Sequence, residues 1–218
     1  MSAVVGQRHG FGSLFQMGDA TPVFNVTVGA GGAALAATSV PVAALPGALP
    51  IGSLLLFGVG KVAELTAPAA SGALTITVKS LAAALVAGDI AEGGKVYATI
   101  AQYTDMTPPN PSRSTFDTTH YLSPGGYMEF GSGLVDPGTS SVTYNWLPRD
   151  PTQDGATGLL KAFADGLPRD FRIVWNQFSP PVVYQFNALV TSQPITAPIN
   201  DRMTGSAELK INGAIKRY

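Results

Sequence analysis

The chain has 218 residues, of which 45% are hydrophobic and 12% charged, and its net charge is −1. Charged side chains usually make up about 25% of a globular protein, so we expect other copies of the chain to cover much of its surface. The charge balance argues against tight binding to nucleic acid, which needs a surplus of Lys and Arg. The absence of cysteine excludes disulfides, thiolate zinc sites and cysteine nucleophiles.

The sequence contains no stretch typical of a targeting signal or a membrane span. Residues 1–18 have no apolar run of signal-peptide length. The apolar stretch 49–59 is interrupted by Gly52 and Gly58 and is shorter than the roughly 20 residues that a membrane helix needs. We therefore expect a protein that is not secreted and does not cross a membrane.

Residues 26–95, which we call the central module, contain only six charged side chains and an internal repeat. The pattern V-x-x-L-x-x-x-L-x-x-G-x-[LI] occurs twice, 36 residues apart. The first copy comprises Val42, Leu45, Leu49, Gly52 and Leu54, and the second comprises Val78, Leu81, Leu85, Gly88 and Ile90. Each copy begins with a β-favouring stretch, so the repeat predicts two related β units packed face to face as a small barrel or sandwich. A low-complexity Ala/Gly linker is the alternative.

Strand and turn signals dominate the rest of the chain. Stretches bounded by Pro, Gly, Asn or Asp predict strands at 95–102, 127–130, 140–146, 171–175, 182–191 and 206–215. The segment 104–114 contains three prolines, which oppose both helix formation and sheet hydrogen bonding. This segment is therefore predicted to be a long exposed loop.

One helix is predicted, at residues 154–164. Leu159, Leu160 and Phe163 are at helical spacing, and Gly166 is placed to end the helix. Asp154, near the predicted start, suits the positive end of the helix dipole. The predicted fold class is therefore mainly β with one helix laid across a sheet. The other face and the edges of such a sheet need a cover, and pairing with identical neighbours would supply it.

No pattern in the sequence predicts a catalytic, cofactor or metal site. Asp117, His120 and Ser123 could be imagined as an acyl-transfer triad, but triads are assembled from distant parts of a fold, and no G-x-S-x-G motif accompanies them. We predict that His120 is a hydrogen-bonding loop residue. Metal-ligand spacings and phosphate-binding loops are also absent. We expect no catalytic residue, no cofactor and no metal.

Four aromatic residues could form a platform for stacking sugars or bases. They are Trp146, Trp175, Tyr184 and Phe186. On strands with this alternation we interpret them instead as core or subunit interface. A carbohydrate-binding or adhesion β-sandwich protein, with the central module as its binding part, is the second class of protein that they would suit.

Six sequence motifs occur in an order and spacing that resemble one known family. They are FGSLF at 11–15, TPPNPSR at 107–113, DTTH at 117–120, SPGGYMEF at 123–130, YQFNALVTS at 184–192 and AELKING at 207–213. Residues 1–25 and 96–218 thereby resemble the tail tube proteins of lambda-like long-tailed bacteriophages (siphophages). The resemblance implies a tail-tube β-sandwich domain with one flanking α-helix, built from these two segments. The central module, at 26–95, would then be an insertion.

Members of that family assemble as stacked hexameric rings, forming a tube through which the genome leaves the capsid. The resemblance therefore implies a structural virion protein that is not an enzyme and whose main partner is itself. Tape-measure and tail terminator or tip proteins would be further partners, and double-stranded DNA would pass without specific binding. The protein would be made in the cytoplasm of the bacterial host and located in the phage tail, with the module outside the tube.

Two segments are expected to act in assembly. The leader at 1–18, with Phe11, Leu14 and Phe15, would become ordered only on assembly. The proline-rich loop would reach an adjacent subunit or ring, through Thr107, Pro108, Pro109, Asn110, Pro111, Ser112 and Arg113.

Two more classes of protein remain compatible with the sequence. One is a different virion subunit, such as a head decoration or head-to-tail connector protein. The second is a hydrolase acting on cell walls, for which His120 would be the main candidate residue.

Overall fold

The computed structural model describes residues 12–19, 23–121, 123–178 and 180–218. Of these residues, 49% lie in strands or β-bridges and one short α-helix is present, so the protein is mainly β, which confirms the predicted fold class. The elements are β1 Ser13–Gly18, β2 Phe24–Thr27, β3 Ser39–Pro41, β4 Leu54–Gly58, β5 Lys61–Glu64, β6 Thr75–Thr77, β7 Ile90–Gly93, β8 Tyr97–Thr99, β9 Tyr103–Thr107, β10 Ser112–Asp117, β11 Phe130–Asp136, β12 Thr139–Asn145, α1 Leu159–Asp165, β13 Arg169–Trp175, β14 Val182–Ser192, β15 Ile195–Thr196 and β16 Thr204–Arg217.

Eight strands form the main sheet, in the order β8-β1-β13-β14-β16-β12-β9, with the short β15 added to β16. The edge strands β8 and β9 follow each other closely in the chain, which therefore crosses from one edge of the sheet to the other. The Tyr103 hydroxyl of β9 donates a hydrogen bond to the Ser13 carbonyl of β1. The two edges therefore approach each other, and the sheet folds over one core.

That core is built from side chains on the inner face of the sheet. Phe15, Phe171 and Phe186 come from three adjacent strands, and the centroids of neighbouring rings lie 6.0 and 6.1 Å apart. Leu159 and Ala162 of α1 are buried in the same cluster. In β12 and β16 buried and exposed residues alternate, as expected for strands with one dry and one wet face.

The helix α1 is shorter than predicted because a turn occupies the residues before it. The Asp154 carboxylate accepts hydrogen bonds from the backbone N–H groups of residues 156–158, at 2.9–3.1 Å. An aspartate that satisfies these groups competes with helix formation, so the helix begins at Leu159. It ends as predicted, since Gly166 adopts the left-handed conformation with φ 61°.

Four predicted strands are confirmed: 140–146, 171–175, 182–191 and 206–215 correspond to β12, β13, β14 and β16. Two others are shorter than predicted. The strand predicted at 95–102 is confined to β8, because the chain turns at Gln102, which has φ 49°. The strand predicted at 127–130 begins only at Phe130, after the turn at Pro124–Gly126.

The prediction of a long loop over residues 104–114 is wrong in extent. β9 and β10 occupy its two ends, and only residues 108–111 lie outside strands. The prolines that oppose sheet hydrogen bonding are confined to those four positions. The flanking residues are therefore free to pair.

The expectation that the leader becomes ordered only on assembly does not hold for β1. This strand pairs with β13 on one side and β8 on the other. Phe15 is fully buried in the main core, and Leu14 packs on the opposite face of the sheet. A strand hydrogen-bonded on both sides is part of the folded subunit, so β1 is not an arm. Phe11 lies outside the described residues.

The central module consists of three nested antiparallel strand pairs. The hairpin β4–β5 is innermost, β3–β6 follows, and β2–β7 is outermost. Ala33 pairs with Leu85, and Leu49 pairs with Ala69, so each bridge maps onto the other when shifted by the repeat length. The two repeats are thus related by a local two-fold axis and share one apolar core. The module forms no closed barrel, because its strands are short and separated by turns.

The main sheet is covered differently along its width. Leu56 and Val62 of the module form a small apolar cluster with Val174 of β13 and Val183 of β14. These middle strands therefore carry the main core on one face and the module on the other. In contrast, Glu208 of β16 and Thr107 of β9 are exposed on the outer face of their strands.

Replacing Phe15 by Ala should destabilise the subunit strongly, because the ring is fully buried between strands. Buried Phe→Ala changes typically cost about 3–5 kcal/mol. Phe163→Ala is the matched control, because this ring is 45% exposed on α1, and we expect it to cost no more than about 1 kcal/mol. Urea unfolding of the unassembled subunit measures both values, and similar losses would contradict the buried position of β1.

Protonation of Asp170 should make the subunit less stable in acid. Burial raises the pKa of this carboxyl, but the hydrogen bond from Asn187 and the ion pair with Lys95 outweigh burial, so its pKa lies below the ordinary value. A carboxyl with a lower pKa in the folded state stabilises it above the unfolded pKa, and this contribution is lost as the pH falls through the folded pKa. The free energy of unfolding should therefore decrease below about pH 4, and less steeply in Asp170→Asn. Urea titrations across this range test it; equal declines in both proteins would contradict it.

Candidate assembly surface

The strands β10 and β11 form a hairpin outside the main sheet. Among the described residues they pair only with each other. No described residue from 107 to 139 is buried. A two-stranded hairpin without a packed face is marginally stable in water. The hairpin is therefore the part of the subunit that most needs a surface to pack against.

The hairpin also exposes large apolar side chains. Phe116 lies across Gly131 of the opposite strand, where its ring covers the position that a side chain would fill. The exposed apolar residues of the hairpin and its tip are Phe116, Tyr121, Tyr127, Met128, Phe130, Leu134 and Val135. A concentration of exposed apolar groups marks an interaction surface. We call these residues the hairpin surface.

The proline-rich segment predicted from the sequence lies at the root of this hairpin. Thr107 ends β9, Pro108, Pro109, Asn110 and Pro111 connect the strands, and Ser112 and Arg113 begin β10. The Asn110 N–H donates to the Thr139 carbonyl at 3.3 Å, and the Arg113 guanidinium donates to the Gly133 carbonyl at 3.3 Å. The segment thus holds the hairpin in place, and the hairpin surface beyond it was not predicted. Its only signal in the sequence is the pair Gly131 and Gly133 within an apolar strand.

The second strand of the hairpin is anchored through Asp136. Its carboxylate accepts hydrogen bonds from the Lys210 ammonium at 2.8 Å and from the Gly138 N–H at 2.9 Å. Both lower the pKa of Asp136, the lysine most strongly. Gly138 has φ 82°, and a Cβ atom there would lie 1.9 Å from the Asn110 carbonyl oxygen. The root therefore depends on one ion pair and one close approach of two backbones.

The structure does not bring the three candidate triad residues into a catalytic arrangement. The Ser123 hydroxyl donates to Glu129 at 2.9 Å and accepts from the His120 backbone N–H at 3.0 Å. The His120 ring nitrogen Nε2 lies 3.9 Å from the Glu129 carboxylate. The Asp117 carboxylate accepts a hydrogen bond from the Thr119 N–H at 2.7 Å. These contacts shape the tip of the hairpin.

The four aromatic residues considered as a stacking platform belong to the main core. Phe186 is buried, and Trp146, Trp175 and Tyr184 pack against the same cluster. Trp175 and Tyr184 meet edge to face with ring centroids 4.7 Å apart. Within residues 26–95 the one aromatic residue is Phe57, which is buried in the module core. The four rings are thus engaged in packing, in line with their interpretation as core residues.

The described residues contain neither a cluster of metal ligands nor a helix that could span a membrane. Across these parts of the chain, no three His, Asp or Glu side chains lie close enough together to hold a metal ion. No helix there is long and apolar enough to cross a membrane.

A second open surface lies on the outer face of β9, β12 and β16. Residues directly opposite each other on antiparallel strands share a face. Two such rows are Thr107, Ser141 and Glu208, and Asp105, Thr143 and Ser206. Hydroxyl groups predominate in these rows, and the nearby Lys210 is engaged by Asp136. We call this surface the hydroxyl face.

Together, the single folded-over sheet and the hairpin without a packed face define a structural β protein built for contacts with other subunits. The lambda phage tail tube protein family matches residues 89–216, more than half of the chain. The chain belongs to this family, which confirms the resemblance in the sequence, and it is a structural component of the phage tail.

Three solved structures are similar to part of the chain. The virion of a native gene transfer agent particle contains a chain that is 19% identical, with TM-score 0.46 over 56% of this chain and 88% of that chain. The tail of an empty gene transfer agent particle gives 21% identity and TM-score 0.46, over 56% and 86%. The baseplate of the anti-feeding prophage gives 10% and 0.41, over 57% and 84%. No curated protein matches the chain, and the family membership rests on the family match.

Replacing Gly138 by Ala should loosen the root of the hairpin. Gly213→Ala is a matched control, because both glycines have φ 82° but only Gly138 has a neighbour where the Cβ would be placed. Both variants carry the left-handed backbone cost of about 1–2 kcal/mol. Only Gly138→Ala should also accelerate hydrogen exchange at the Asn110 and Ile211 amides, which bond across the root. Equal exchange in the two variants would show that the root is not tightly packed.

Proposed function

We propose that this chain is the subunit of a phage tail tube, in which hexameric rings stack into a hollow conduit for genome ejection. The observation that carries the proposal is the hairpin: it exposes several large apolar side chains, distributed over both of its faces, and has no core of its own. Because the chain belongs to the tail tube family, we propose that a further copy of the chain packs against that surface.

The hairpin surface would contact the adjacent subunit or ring. Its apolar groups lose water on association, which contributes roughly 25 cal/mol for each Å² buried. Thr107 to Arg113 would act by fixing the direction of the hairpin, since the segment bonds to the sheet at its root. The proposed role of these residues in assembly is therefore one of positioning. For Leu14 and Phe15 we propose no arm function, because both lie in the folded subunit.

The hydroxyl face is the surface that we propose to line the tube. The module and α1 cover other parts of the sheet, whereas this face carries small polar groups and the exposed carboxylates of Asp105 and Glu208. Lys and Arg contacts would retain phosphates and release their counterions, which would oppose the passage of DNA. Hydroxyl groups and unpaired carboxylates do not attract phosphates, so DNA could pass without being held. In this arrangement the edges β8 and β9 would join neighbouring subunits.

The central module, residues 26–95, is proposed to be an insertion that lies outside the tube. Gly18 at the end of β1 pairs with Tyr97 of β8, so the two strands that flank the module are neighbours in the sheet. A tight hairpin turn could join them, which is the geometry expected where a domain is inserted. The module covers the face of the sheet opposite the main core. The helix α1 packs on the side of the main core.

Other parts of the proposal follow from the family. Tape-measure and tail terminator or tip proteins would contact the tube, and the subunit would act passively, without enzymatic activity. A glycan-binding role for the module is less favoured, because Phe57, its one aromatic residue, is buried. A head decoration or connector role is less favoured because of the family match.

Replacing Leu134 by Glu should prevent tube formation without unfolding the subunit. Leu134 is 88% exposed on the hairpin surface, so the change should alter the free energy of unfolding by less than about 0.5 kcal/mol. Buried in a contact, however, the carboxylate would be desolvated without a partner. Negative-stain microscopy of the purified chain at high concentration should show hollow tubes of uniform width for the original sequence and none for the variant.

Leu35→Glu is the control for this experiment. Leu35 is 65% exposed on the central module, which is proposed to lie outside the tube, so this variant should still polymerise. Loss of tubes in both variants would point to a general effect of charge. Tubes in both would exclude the hairpin surface as a contact, and the absence of tubes from the original sequence under all conditions would contradict the proposed function.

A further inference from the structure

The contact between the central module and the main sheet is a packed interface. Leu56 and Val62 are buried against Val174 and Val183. Leu14 of β1 and Tyr218, the last residue, pack partly buried against the same cluster. The module thus contacts the first strand of the sheet and the end of the last one.

Polar groups at the edge of this cluster also link the module to the sheet. Arg172 is only 4% exposed, and a buried guanidinium is costly unless it is paired. Its Nη1 donates to the Leu54 carbonyl of the module at 3.4 Å, and its charge lies 3.6 Å from the centre of the Tyr97 ring. Burial lowers the pKa of Arg172 and raises the pKa of Tyr97 to about 12. Without the module this cation would lose one of its partners.

The end of β16 pairs with the sheet only through a short segment of β14. The register between β14 and β16 shifts between Gln185 and Asn187, so the last residues of β16 form a separate short paired segment. In that segment the N–H groups of Val183 and Tyr218 donate to each other's carbonyls, at 3.0 and 2.9 Å. A short terminal pairing of this kind opens readily when nothing covers it.

A carboxylate of the module reaches this segment directly. Glu92 of β7 accepts hydrogen bonds from the Lys216 ammonium at 2.9 Å and from the Gln185 amide at 3.1 Å. It thereby connects the module with both strands, β14 and β16, in the short segment beyond the register shift. The ion pair with Glu92 also raises the pKa of Lys216.

We propose that the central module is an internal clamp that holds the C-terminal end of β16 against the sheet. Leu56 and Val62 supply the apolar part of the clamp, and Glu92 and the Leu54 carbonyl supply the polar part. The module is then an integral layer of the subunit and not a pendant decoration. Its binding partner is the outer face of the chain's own sheet.

Hydrogen exchange on the unassembled, full-length subunit tests the clamp, so the outcome does not depend on whether tubes form. In Leu56→Ala the amides of Val183 and Tyr218, which lie in the sheet, should exchange at least about tenfold faster. In Leu35→Ala, whose side chain is exposed on the same module, they should exchange at the original rate. Faster exchange confined to module amides such as Leu65 would overturn the proposal.

Glu92→Gln provides a second, milder test that leaves the apolar contact intact. Removing the charge should speed exchange of the Tyr218 amide by up to about fivefold, since partly exposed ion pairs contribute modestly. The effect should disappear at high salt, which screens the original pair. Unchanged exchange in Glu92→Gln together with unchanged sheet exchange in Leu56→Ala would mean that the module does not clamp β16.

Discussion

The structure depends on the burial of β13 on both faces. Every residue from Phe171 to Val174 is buried, with Phe171 and Ile173 in the main core and Arg172 and Val174 under the module. A strand in this position needs two covering layers. Without the first layer, Phe171 and Ile173 would be exposed to water. Without the second, Val174 would be exposed and Arg172 would lose a hydrogen-bond partner. The helix α1 with the folded-over sheet supplies one layer, and the central module supplies the other.

The hairpin formed by β10 and β11 is the opposite case. Its strands have backbone partners but no covering layer, so its apolar side chains remain exposed in the single subunit. We propose that further copies of the chain cover this surface in the assembled tail. The subunit thus combines a sheet that has a packed core with a projection that has none, which suits a protein that must fold first and polymerise afterwards.

Local patterns in the sequence predicted the parts of the fold that depend on neighbouring residues. Alternation predicted β12 and β16, because a strand with one buried face must alternate. Gly166 predicted the end of α1, and the 36-residue repeat predicted two related units that the structure relates by a two-fold axis. The start of α1 was missed, because the hydrogen bonds of the Asp154 carboxylate compete with the helix.

The candidate site was predicted only in part. The proline-rich segment from Thr107 to Arg113 was identified, but as a loop that makes the contact, whereas the structure places it at the root of a hairpin. The hairpin surface was missed, because exposure of Phe116 or Leu134 depends on what the rest of the chain leaves uncovered. The leader was interpreted as an arm for the same reason: the ring that Phe15 contacts is Phe171, more than 150 residues away.

The sequence by itself determined the mainly-β class, the single helix, the two-unit module and the likeness to tail tube proteins, since composition, periodicity and motif order are local properties. Only the tertiary structure decided that β1 is a central strand, that the module covers the sheet, and that β10 and β11 project without a core. Those features depend on which distant segments become neighbours, and contacts between distant segments leave no periodic signal in either one.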